Sequence, residues 1–90
     1  MSQRQRFQVS AAVSTAAMNE GAVLVDSATG ECFELNRIGA RIWLCLVRGE
    51  DLERTVDAIA ADHSVERSVV SADAARLVDE LIGRGILVAA

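Results

Sequence analysis

Between Gly30 and Gly39 the chain changes its hydrophobic period, and that change limits what it can fold into. Phe33 and Leu35 alternate with Cys32 and Glu34, the period-two pattern of a half-buried strand. Asn36 then offers a side-chain oxygen suited to capping a helix, and from Ile38 the apolar residues recur about every 3.6 positions. The residues before this switch read as strands and those after it as helices. A strand at the edge of the resulting sheet would carry backbone N–H and C=O groups with no partner in the chain.

Upstream of the switch, Phe7 to about Ala17 leans towards strand, with Phe7, Val9, Ala11 and Val13 on one parity. Met18-Asn19-Glu20-Gly21 reads as a turn built on residues that tolerate positive φ. Ala22–Asp26 is a β-branched run, and Ser27–Gly30 is a short hairpin loop with Gly30 suited to a left-handed position. Together these predict a three-stranded meander ending at Leu35. Downstream, the first helix is expected from Asn36 to about Arg48, stopped by Gly49, with Ile38, Ile42, Cys45 and Leu46 on its core stripe. Trp43 falls off the centre of that stripe and is expected at its rim. Arg37, Arg41 and Arg48 share the opposite, solvated face.

A second helix is expected from Glu50 to about Asp62 with a stripe of Leu52, Val56, Ile59 and Ala60. Glu50 and Arg54 would form an i,i+4 pair within it. His63 and Ser64 link it to a third helix, about Glu66 to Arg84, which Gly85 ends. Val70, Ala74, Leu77, Val78 and Leu81 form the core stripe of that helix. One flank carries Val69, Asp73, Arg76 and Glu80, the other Ser71, Ala75 and Ile82. Ile86-Leu87-Val88 is a closing apolar tail. The fold class is α+β, one domain over residues 1–90 with 1–6 frayed.

Composition narrows the function. A formal charge of −4 weighs against nucleic acid, whose binders carry a basic patch. No apolar run is long enough to cross a membrane, and Ser14 and Thr15 interrupt the one stretch that resembles a signal peptide. A cytoplasmic protein is expected, with Cys32 and Cys45 as small apolar residues rather than a disulfide. Catalysis is not expected, because a nucleophile–base pair would have to pass through His63, the only histidine. Nor is a metal or other cofactor, since one histidine and two isolated cysteines make no ligand set. Glu31 and Glu34 read as charges that blunt an edge strand rather than as an acid–base pair.

The order Gly21-Ala22-Val23-Leu24-Val25-Asp26, Ser27-x-x-Gly30, Phe33-x-Leu35-Asn36-x-x-Gly39, then Gly49, then Asp73-x-x-x-Leu77-x-x-x-Leu81-x-x-x-Gly85-Ile86-Leu87 resembles the PqqD-like family. The resemblance runs from about Val13 to Val88. It is strongest to stand-alone members of lasso-peptide pathways, recognition elements for ribosomally made, post-translationally modified peptides. It implies a winged helix-turn-helix-like fold, a three-stranded antiparallel sheet followed by three helices. It also implies a function: the leader segment of a precursor peptide adds as an antiparallel strand to strand 31–35, in the groove against helix 66–84. The residues that would meet the leader are then Glu31, Cys32, Phe33, Glu34 and Leu35 on the strand. On the helix they are Val69, Asp73, Arg76, Leu77 and Glu80. The acids among them predict a leader with basic residues. The further partners implied are a leader peptidase and, as a second candidate, the cyclase. A winged-helix DNA binder and a small structural or dimerisation module are the alternatives.

Overall fold

A computed structural model describes residues 7–89; the expectation about 1–6 lies outside the described residues. The elements follow in the order β1 (Phe7–Val9), β2 (Val13–Met18), β3 (Gly21–Asp26), β4 (Glu31–Asn36), α1 (Arg37–Arg48), α2 (Leu52–His63), α3 (Arg67–Gly83) and β5 (Leu87–Ala89). β2, β3 and β4 form an antiparallel sheet in that order. The expected three strands and three helices are therefore present.

The expected first strand divides in two. Ser10 breaks it, its carbonyl accepting from the Val13 N–H at 3.1 Å and its hydroxyl from the Ala12 N–H at 3.3 Å. Only β2 joins the meander. β1 instead pairs with β5, Phe7 opposite Ala89 and Val9 opposite Leu87, so the closing tail is a strand and not a loose end. Leu87 is 1% exposed, which places this ribbon on the core.

Register sets the two faces of the sheet. Phe33 and Leu35 sit opposite Leu24 and Ala22, whereas Cys32 and Glu34 sit opposite Val25 and Val23. Leu24, Ala22 and Leu35 are buried, and Cys32 and Glu34 are exposed, as the alternation demands. The β2–β3 turn works differently from expectation. Neither Asn19 nor Gly21 takes a positive φ. Gly21 is needed for space, since a Cβ there would lie 2.0 Å from the Leu35 carbonyl oxygen. Gly30 does take the left-handed conformation, at φ 77°.

Asn36 ends β4 and caps α1, its Oδ1 accepting the Gly39 N–H at 2.7 Å. Gly49, at φ 68°, closes the helix by donating to the Cys45 and Leu46 carbonyls. α2 starts at Leu52 under an Asp51 cap, so Glu50 lies outside it and the expected Glu50–Arg54 helix pair does not form. His63 belongs to the last turn of α2, and Ser64 makes the left-handed link at φ 53°.

Trp43 corrects another expectation. It is 2% exposed, part of the core, with its indole N–H donating to the Thr15 hydroxyl at 2.9 Å. α1 packs against β3 and β4 as well as α2 and α3, so its buried surface is wider than one stripe. Replacing Asn36 by Ala removes a cap oxygen and should lower the melting temperature by roughly 4–8 °C, about 1 kcal/mol, with Asn36→Asp close to wild type. Thermal denaturation followed by circular dichroism checks this. Equal melting of Asn36→Ala and wild type would show that the cap contributes nothing.

Candidate functional site

β4 is an edge strand: β3 lies on one side, and among the described residues no strand pairs with the other. In an antiparallel edge strand alternate residues direct their N–H and C=O groups outward, ready for a further strand. Along this free side runs a groove of about 240 Å³. Phe33, Glu34 and Leu35 of β4 form one wall, Asp73, Arg76, Leu77 and Glu80 of α3 the other, and Ile38, Gly39 and Ile42 of α1 close one end. Leu35 is buried and Phe33 and Leu77 are half-buried against the core, so the floor is apolar and the rims are charged.

Seven of the ten expected site residues line this one groove. Glu31 and Cys32 are exposed on the same strand just beyond it, beside Leu24, Ile86 and Arg84. Val69 is not in its lining; it lies one turn nearer the start of α3 than Asp73 and is 49% exposed. Of the two flanks of α3, the one carrying Asp73, Arg76 and Glu80 faces β4. Ser71, Ala75 and Ile82 line a separate hollow towards α2 and Phe7. Asn36, Ile38, Gly39 and Ile42 also line the groove, and the sequence reading missed them. Their signal was the strand-to-helix switch itself, because a helix that starts where the edge strand stops must pass the end of the groove.

The charges of the groove are largely answered. Arg76 pairs with Asp73 at 3.2 Å, and Arg84 pairs with Glu31 at 3.1 Å and Glu80 at 3.4 Å. Of the four acids expected to attract a basic peptide, only Glu34 makes no ion pair among the described residues. Two guanidiniums against four carboxylates leave the rims net acidic, with less long-range pull on a basic peptide than the acids alone would give.

A larger hollow of about 560 Å³ lies between α1 and α2, lined by Arg41, Arg48, Arg54, Glu50 and Asp51 among others. It borders no strand edge. Arg41 is held by Asp62 at 2.9 Å, and Arg37 on the same helix by Glu20 at 3.3 Å, so most of the expected arginine row is engaged on the surface. Cys32 and Cys45 are free thiols. Cys45 is buried, and burial, more than any other influence, pushes its thiol above the usual range, the opposite of what a nucleophile needs. Among the described residues, no three or more His, Cys, Asp or Glu side chains come together as a metal set. No helix among them is long and apolar enough to cross a membrane.

A three-stranded antiparallel sheet followed by three helices, with one sheet edge left open beside the last helix, defines the winged helix-turn-helix-like α+β class. The chain belongs to the PqqD family: the family model for coenzyme PQQ synthesis protein D matches residues 21–87. Among solved structures it is similar to TbiB1 in complex with the TbiA(beta) leader peptide. That likeness has 36% identity and a TM-score of 0.76 over 89% of this chain and 93% of the other. It is similar also to a lasso peptide synthetase B1 complexed with the leader peptide, at 29% identity and a TM-score of 0.81 over 92% and 98%. No curated protein matches the chain.

Proposed function

We propose that this protein is a non-catalytic adaptor that binds the leader segment of a ribosomally made precursor peptide, of the lasso class, by strand addition to β4. The observation that carries the reading is the open edge of β4 lying along a groove with an apolar floor. Both similar structures were solved with leader peptides, which supports it. Strand addition draws affinity from main-chain hydrogen bonds and selectivity from side-chain pockets. About five new bonds at about 1 kcal/mol net each fall short of the roughly −8 kcal/mol of micromolar binding. Apolar side chains of the leader, set between Phe33, Leu35 and Leu77, supply the remainder.

The adaptor role follows from holding a peptide without cutting it. A leader peptidase, and with it a cyclase, would act on the captured precursor, and the protein raises the local concentration of substrate near them. Titration with a synthetic leader, followed by amide hydrogen exchange, tests the reading. Bound leader should protect alternate amides of Glu31–Leu35 and leave α2 unchanged. The partner peptidase should keep its kcat while its apparent KM for full-length precursor falls when this protein is added. Tight leader binding with no protection in β4 would move the site elsewhere. A peptidase indifferent to the protein would refute delivery while leaving binding intact.

A further inference from the structure

Arg84 stands immediately after α3, its backbone N–H donating to the Glu80 carbonyl at 3.0 Å. Gly85, at φ 75°, then turns the chain towards buried Ile86. The Arg84 side chain reaches over β4. Its Nη1 donates to Glu31 at 3.1 Å, its Nη2 donates to Glu80 at 3.4 Å, and its Cζ lies 4.8 Å from the centre of the Phe33 ring. One guanidinium thus touches the first and third residues of the edge strand and the last turn of the helix facing it. Among the described residues, it makes the only side-chain hydrogen bond that joins β4 to the end of α3.

We propose that Arg84 is a positioning residue for the peptide edge, a clasp that fixes β4 against the end of α3 and sets the width of the groove. This rests on the strand-addition reading and adds a residue that belongs to neither wall of the groove. A planar guanidinium suits this role because it serves two carboxylates and lies over an aromatic ring at once, which an ammonium cannot do equally well. Exposed ion pairs add little to global stability. The clasp therefore acts locally, by removing freedom that β4 would otherwise lose when a strand docks.

The full chain carrying Arg84→Ala or Arg84→Lys tests this by two measurements, amide hydrogen exchange of the free protein and titration with a synthetic leader. In Arg84→Ala the amides that bond β4 to β3 should exchange several-fold faster while those that bond β3 to β2, and those of α1, do not change, and leader affinity should fall about fivefold. Arg84→Lys should recover part of both effects, a rescue that general loosening of the fold would not give. If β4 exchange in Arg84→Ala equals wild type, the clasp does not exist, whatever the peptide does. If exchange quickens but the leader binds as tightly as before, Arg84 positions nothing for the peptide. A wild-type chain that binds no leader overturns the strand-addition reading and with it this role, and is distinguished because the exchange measurement needs no peptide.

Discussion

Leu77→Asp is expected to reduce leader affinity on the order of a hundredfold, the largest functional effect of any single substitution in the groove. Leu77 is half-buried between α3 and the floor formed with Leu35 and Phe33. A carboxylate there faces a docked peptide that removes its water, and an unpaired polar group so buried costs about 1–3 kcal/mol or more. Because Leu77 also packs on the core, folding must be confirmed by circular dichroism. Leu77→Ala is the gentler variant, expected to weaken binding about tenfold by lost apolar contact alone. Ala75→Asp is the matched control. It introduces the same charge on the same helix at an exposed site on the flank turned away from β4, so affinity should stay within about twofold. A folded Leu77→Asp protein that binds leader like wild type would place the peptide somewhere other than this groove.

The largest stability effect is expected at Trp43. Truncation to Ala empties the space of a side chain 2% exposed and should cost about 3–5 kcal/mol, a large part of the total stability of a small protein. The melting temperature should fall by at least about 12 °C, and the variant should lie near its unfolding midpoint under mild conditions. Trp43→Phe keeps most of the apolar body and loses the indole N–H that donates to Thr15, so about 1 kcal/mol should go. The Thr15 hydroxyl lies on an exposed residue and finds water instead. Differential scanning calorimetry separates the two. A Trp43→Ala protein melting within a few degrees of wild type would mean that the site collapses to fill its own cavity.

Trp43 also shows where sequence reasoning stops. The helical stripe of Ile42, Cys45 and Leu46 was legible because all three are buried on a 3.6-residue period. Trp43 lies off that stripe, and it is buried because α1 is packed on more than one side, a tertiary fact with no local signature. The β1–β5 ribbon escaped for a related reason. Both segments are short and apolar, and nothing in either names a partner at the other end of the chain.

The switch at Asn36 and the stops at Gly49 and Gly85 were legible, because capping and left-handed turns are local chemistry. So was most of the groove. β4 and the Asp73, Leu77 and Glu80 rows of α3 follow from period two and period 3.6, although which flank of α3 met β4 required the fold. The ion pair of Arg84 with Glu31 joins positions far apart in sequence and could not be read from either.

The β1–β5 ribbon bears on the order in which the molecule comes together. β2, β3 and β4 are consecutive antiparallel neighbours joined by short turns, and α1 begins at the residue after β4 stops. Such contacts close small loops at small entropic cost. The ribbon pairs Phe7 with Ala89, which requires nearly the whole chain to be gathered first. It should therefore zip late in folding and be first to open in native-state fluctuations, with only three residues on each strand to hold it. The edge strand belongs to the part that closes earlier, and the helix facing it packs on α2, its neighbour in the chain. A peptide would thus find its berth ready in molecules whose two ends have momentarily come apart.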